Sequence, residues 1–230
     1  MLPLRCCLCA EPLLQKPFTS LRLCPSCLRR LYREKLSQQR GIERCSTCGM
    51  PLISEIGTCL SCRTSRCAFS VHRSVFMYQD AAETLIRQYK FGALPALARL
   101  LAYYLEQMLR ADTDCSLPLI PVPARRSSVR ARGWDQMKLI CRHLRRKGFH
   151  TAHLLVRTGG SSQKSLNYSQ RMNNLSGHIK CTLKSAPPPP KLILLDDVFT
   201  TGATLEECAR VLCAAGVQEV KAFTIAMTPY

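Results

Sequence analysis

The chain has 230 residues, 47% of them hydrophobic, with 33 Lys and Arg against 15 Asp and Glu, a formal net charge of +18 at pH 7. That apolar fraction supports a packed core and excludes wholesale disorder, and the length suits one ordinary domain plus a small module. So large a positive charge favours polyanionic partners and speeds encounter with them, without bearing on fold.

The charge is uneven: residues 1–79 carry 12 basic and 4 acidic side chains, residues 80–190 carry 18 and 6, and residues 191–230 carry 3 and 5. The start, "MLPLRCCLCA", has no apolar h-region, so no secretory leader is expected. The most apolar helical stretch, Leu94 to Leu109, contains Arg99 and Glu106 and is too short and too charged for a bilayer. The expectation is a soluble, cytoplasmic protein with no membrane insertion.

Ten of the fifteen cysteines precede residue 70. An odd number with no leader ranks metal ligation above a disulfide framework. Four C-x-x-C pairs stand in line: Cys6/Cys9, Cys24/Cys27, Cys45/Cys48 and Cys59/Cys62. Two intervening residues let both sulfurs of a pair reach one metal from a tight turn, and two pairs complete a tetrahedral thiolate site. Gly49 follows its pair where such a knuckle commonly needs positive φ. Two structural Zn2+ sites are expected. One filled site with vestigial pairs, or redox-active pairs, are the alternatives. Sequential and interleaved pairing both satisfy the spacing. A segment this poor in aromatics builds little core, and a structural zinc supplies on the order of 10 kcal/mol of folding energy. The other seven cysteines read as small core or surface thiols. Arg22, Arg29, Arg30, Arg33 and Lys35 form a basic face that is either solvated or a nucleic-acid grip.

Residues 71–79, "VHRSVFMYQ", read as a strand. Ala82, Leu85, Ile86 and Tyr89 then mark a short amphipathic helix ending near "KFG". Leu94, Leu97, Ala98, Leu101, Leu105 and Met108 mark a second. "LPLIPVP" is a buried strand running into a proline-stiffened loop. Residues 125–147 hold nine Lys or Arg and one acid, Asp135. From Asp135 the pattern is helical, with Met137, Ile140, Cys141 and Leu144 inward and Lys138, Arg142 and Arg145 outward. Arginines also crowd the loop before that helix, so Arg125, Arg126, Arg130 and Arg132 are candidates for phosphate or nucleic-acid contact. Trp134 could stack on a base, though packing is its default role. The polar stretch 157–177 suggests an active-site lid. "KSAPPPPK" reads as a loop inside the fold, because too few residues follow it for a separate domain.

"LILLDDVFTTGATL", Leu192 to Leu205, is a buried parallel strand ending in Asp196 and Asp197, then a turn, then a helix whose inner face is Leu205, Cys208, Ala209 and Leu212, with Gly216 as its stop. "VKAFTIAM" returns as a parallel strand. Backbone N–H groups and the helix dipole at such a turn favour phosphate, while carboxylates accept hydrogen bonds from sugar hydroxyls. Together they fit a ribose 5-phosphate. A surface acid pair capping a turn is the plainer alternative.

This stretch resembles the phosphoribosyl-pyrophosphate motif of type I phosphoribosyltransferases. The whole chain resembles the ComF family of competence-related proteins. The further matches are the cysteine pairs, Lys90-Phe91-Gly92, Pro121-Val122-Pro123, the Arg130 to Gln136 segment "RARGWDQ", and Gln163, Leu166, Arg171 and Asn174. Family members usually have Phe-Asn where Trp134-Asp135 stand. The resemblance implies an α/β, type I phosphoribosyltransferase-like parallel sheet with flanking helices (residues 69–230), preceded by a Cys-rich zinc-ribbon module (residues 1–68). It implies phosphoribosyl pyrophosphate on Asp196, Asp197, Thr200, Thr201, Gly202, Ala203 and Thr204, with Mg2+ bridging the pyrophosphate near loop 121–133. Residues 158–175 would be a closing hood, and Arg132 a candidate to stabilise the leaving group. The implied role is handling of single-stranded DNA in natural transformation or DNA uptake, with DNA-processing or competence proteins as partners. An active phosphoribosyltransferase of nucleotide salvage or biosynthesis is the alternative. A zinc-ribbon adaptor with a relic site is a third. No acceptor segment stands out. Met1 is followed by Leu, so no N-terminal Cys nucleophile supports an amidotransferase.

Overall fold

Among the described residues six strands form: β1 (Val71–Met77), β2 (Leu119–Pro121), β3 (Leu155–Arg157), β4 (Ile179–Cys181), β5 (Lys191–Phe199) and β6 (Glu219–Met227). The computed structural model describes residues 4–14, 18–39, 41–64, 67–92, 94–158, 178–182 and 187–229. Four strands make one sheet in the order β1-β6-β5-β2, every pair parallel. β3 and β4 form a separate antiparallel pair that the periodicity did not reveal. β5 buries Leu192 to Leu195 completely, as a strand covered on both faces must. The α/β class, with a parallel sheet flanked by helices, is the one expected.

The helices of the described residues are α1 (Phe18–Leu21), α2 (Pro25–Glu34), α3 (Leu60–Thr64), α4 (Asp80–Phe91), α5 (Ala98–Asp112), α6 (Arg126–Arg132), α7 (Gln136–Arg145) and α8 (Ala203–Ala214). The apolar positions expected for α4, α5 and α7 are all in the core or packed against it. α5 starts at Ala98 rather than Leu94, because Pro95 opens a short 3-10 turn first. α7 is capped by Asp135, whose carboxylate accepts from Lys138 N–H at 3.1 Å. α8 ends where Gly216 takes φ +101° and Val217 N–H reaches back to the Leu212 carbonyl at 3.1 Å.

Side chains alternate along β5, so Ile193 and Leu195 enter one core with α4, α5 and α7, while Leu192 and Leu194 enter another with α8. The cysteine-rich segment straddles this arrangement. Cys6, Cys24, Cys27 and Leu31 of α2 belong to the first core; Cys45, Cys48 and Cys59 belong to the second. The same segment covers the outer edge of β1: Lys35 bridges to Phe76, and His72 N–H donates to the Thr47 carbonyl at 2.6 Å. Among the described residues no helix is long and apolar enough to cross a membrane.

Candidate functional site

The two acids lie inside β5 rather than at its end; the strand continues to Phe199 through pairing with Ala226 and Met227. Neighbouring strand positions face opposite ways. Asp197 meets Lys90 of α4, while Asp196 acts electrostatically on Cys208 of α8, so the two carboxylates lie on opposite faces of the strand. Asp197 is 6% exposed. Its Oδ1 accepts from Lys90 Nζ at 2.7 Å, and its Oδ2 is buried with no hydrogen-bond partner. Asp196 Oδ1 accepts from the Asp197 N–H at 2.8 Å. Burial, and then the Asp197 charge, push the Asp196 carboxyl up to about 7, against the opposing pull of Lys90 and Arg157.

Thr200, Thr201 and Gly202 form the turn, and Ala203 and Thr204 begin α8. Gly202 has φ +76°, and a Cβ there would stand 2.8 Å from the Phe199 ring, so a side chain is excluded twice over. The first turn of this twelve-residue helix leaves amides without partners inside the helix, with Ala203 N–H donating to Thr201 Oγ1 at 3.4 Å, and such helix starts bind anions.

The loop expected over 121–133 is partly helical: α6 occupies Arg126–Arg132 and stops where Gly133 takes φ +81°. Arg125, Arg126 and Arg130 are exposed. Beside β2 lies a cavity of about 410 Å³ whose lining includes Arg126, Arg130, Lys138, Arg157 and His153 against one acid, Asp135. Arg132 is half-buried and its Nε has no partner; the same holds for Gln136 Oε1. Tyr89 donates to the Gln136 carbonyl at 2.7 Å, and its ring packs against Trp134 at 4.8 Å. Trp134 thus has the packing role. The hood expected over 158–175 lies, apart from Thr158, outside the described residues, as do Gln163, Leu166, Arg171 and Asn174.

Two groups of four cysteines come together: Cys6, Cys9, Cys24 and Cys27, and Cys45, Cys48, Cys59 and Cys62, each with all sulfurs within 4.8 Å of one another. Pairing is therefore sequential. A tetrahedral site with metal–sulfur bonds of about 2.3 Å has sulfur–sulfur edges of about 3.8 Å. Cys9 and Cys24 stand 3.6 Å apart, and so do Cys48 and Cys59. The Cys27 and Cys48 N–H groups point at the sulfurs of Cys24 and Cys45 at 3.5 Å, which favours thiolate. None of the fifteen cysteines forms a disulfide. The donor set and its spacing fit zinc. Magnesium is different. It requires oxygen ligands, and among the described residues only the cysteine clusters bring three or more ligating side chains together. The acid pair offers one carboxylate on each face of β5, and Asp197 is already paired. A Mg2+ here would take most of its ligands from phosphate and water rather than from the chain.

Lys90 and Arg157 carry site electrostatics that the sequence did not assign. Lys90 lies in "KFG", part of the ComF resemblance. Arg157 opens the polar stretch 157–177 of the sequence.

No family model matches the chain. It is 27% identical to competence protein ComFC of Streptococcus pneumoniae over 88% of this chain and 86% of that protein. It is 28% identical to ComFC of Bacillus subtilis over 89% and 83%, and 26% identical to DNA utilization protein YhgH of Salmonella typhimurium over 97% and 96%. Among solved structures, adenine phosphoribosyltransferase of Saccharomyces cerevisiae superimposes with a TM-score of 0.36 at 12% identity, covering 58% of this chain and 69% of that one. A score that low leaves the architecture to rest on the strand order itself. Over most of its length, the chain is similar to proteins named competence protein ComFC, competence protein F and DNA utilization protein YhgH, in keeping with the ComF resemblance its motifs carry.

Proposed function

We propose that the protein binds phosphoribosyl pyrophosphate at the β5–α8 turn and handles single-stranded DNA during DNA uptake or utilisation. The observation that carries this reading is the buried, unpartnered Oδ2 of Asp197, five residues before the glycine of the turn that opens α8. A buried carboxylate oxygen without a donor is costly, and a sugar hydroxyl would supply one. The 5′-phosphate would rest on the amides and hydroxyls of residues 200–204, and the pyrophosphate, with Mg2+ bound to it, near Arg132 and the basic cavity. Two Zn2+ ions, one per cysteine cluster, would be structural, holding residues 1–68 as a module against the 69–230 domain. The basic surface from α6 to α7 suits the backbone of single-stranded DNA. The names of the relatives support the uptake or utilisation setting, and competence or DNA-processing proteins fit as partners. Transfer of phosphoribose to a base or amine is the second reading, favoured by the intact turn and acids.

Calorimetric titration with phosphoribosyl pyrophosphate and Mg2+, with and without single-stranded DNA, tests this directly. Micromolar binding that shifts when DNA is present is the expected result. No binding in either condition refutes the ribose-phosphate site and leaves a metal-bearing nucleic-acid module.

A further inference from the structure

Lys90 is the last basic residue of α4, in sequence 107 positions from Asp197, yet its ammonium touches that carboxylate at 2.7 Å. Both side chains are largely buried, with exposures of 18% and 9%. Its position is fixed from both sides. Tyr89, one residue earlier, is fully buried and anchored to the start of α7, and Gly92 follows as the helix cap. The cation is thus delivered by a rigid helix end, not by a free surface side chain. It engages one oxygen of Asp197 and leaves the other, Oδ2, buried and without a hydrogen-bond partner.

A pair of adjacent carboxylates that binds a sugar would ordinarily gain from a divalent cation, which neutralises the acids and organises the hydroxyls. Here the protein supplies its own positive charge. Lys90 meets Asp197 on the α4 face, and Arg157, half-buried on β3, acts on Asp196 from the other side. The acids are divided between the two faces of the strand, and Lys90 already occupies one oxygen of Asp197. We propose that Lys90 is a built-in counter-cation for the acid pair, so that the sugar-hydroxyl subsite takes ribose 5-phosphate without a divalent metal. Any metal then belongs to the pyrophosphate. Lys90 is a positioning residue: it orients Asp197 so that Oδ2 faces the ligand. This rests on the ribose-phosphate reading above.

The experiment is calorimetric titration of the full chain with ribose 5-phosphate, first in EDTA at a concentration that leaves the cysteine-bound metal in place, then in millimolar Mg2+. The wild type is expected to bind with affinities agreeing within about twofold. Lys90→Gln is expected to weaken binding in EDTA on the order of tenfold to a hundredfold, the scale of a lost charge-assisted hydrogen bond, and to recover much of it in Mg2+. Lys90→Arg keeps the charge and should stay metal-independent. A residue of only structural importance would show no such rescue by metal. Wild-type binding that requires Mg2+, or Lys90→Gln binding like wild type in EDTA, overturns the proposal while leaving the ribose-phosphate site intact. No wild-type binding in either buffer overturns both. If Lys90→Gln does not fold, by melting and circular dichroism, the wild-type comparison still decides.

Discussion

His72 and Phe199 lie ring against ring, with centroids 4.1 Å apart and planes 23° from parallel. The pair connects two regions far apart in sequence. His72 Nδ1 donates to the Cys48 carbonyl at 2.8 Å, inside the second cysteine cluster, and Nε2 lies 2.9 Å from Thr224 Oγ1 on β6. Phe199 sits under Gly202 of the turn. The cysteine cluster thereby braces the floor of the candidate phosphate site. Gly202→Ala should destabilise the protein by about 1–3 kcal/mol, from the left-handed backbone and the contact with Phe199 combined, and should weaken ribose-phosphate binding. Urea unfolding and titration measure the two effects; an alanine tolerated in both would contradict the packing described.

Asp196 gives a pH signature. Its folded-state pKa is raised from an ordinary 3.8 to about 7. Between those values the folded state holds a proton that the unfolded state has released, so stability falls as pH rises through this window and the full cost is present above about 7. Asp196→Asn should remove the penalty. The variant should gain on the order of 2 kcal/mol over the wild type on going from pH 5 to pH 8. Parallel stability curves across that range would refute it.

Chelation should lower the melting temperature of the whole chain rather than detach residues 1–68. Cys24 and Leu31 share a core with Tyr89 and Leu105, while Cys45 and Cys59 share one with Leu205 and Val220. Loss of the metals loosens both faces of the sheet. Hydrogen exchange after metal removal checks this: increased exchange in β1 and β6 is expected, and protection unchanged outside the first 68 residues would contradict it.

Single-stranded DNA affinity should fall steeply with salt. Replacing Arg126 and Arg130 together by alanine should reduce the slope of log affinity against log salt by about 1–2, a phosphate-neutralising role for both. An unchanged slope would place the DNA elsewhere, with the arginines of α2 as the next surface to test.

Local patterns made much of this legible. The apolar faces of α4, α5 and α7 follow from periodicity, and β5 and its turn follow from an apolar run meeting Thr-Thr-Gly. The cysteine clusters follow from spacing, because each is closed by a short stretch of chain. Relations set by the tertiary fold were not legible. The Lys90–Asp197 contact joins residues that only the sheet brings together. The division of the acids between two faces depends on β5 continuing to Phe199, and the chemistry of the motif had suggested that the strand stops at the acids. Sequential pairing of the cysteines could not be told from interleaved pairing by spacing alone. α6 was masked by its arginines, whose charge dominated a weak helical pattern. Trp134 was ambiguous by nature, since a single aromatic in a basic stretch serves packing and stacking equally well until its neighbour, Tyr89, is known.

β6 is the last strand in chain order, yet it sits between β1 and β5. On the ribosome, β1 emerges about 150 residues before its partner, while both cysteine clusters are complete before β1 itself has left the exit tunnel. Metal capture can therefore precede sheet closure in time. A nascent chain starved of metal would wait through the synthesis of the remaining strands with β1 bare on both sides, an open template for pairing with its neighbours on the same polysome.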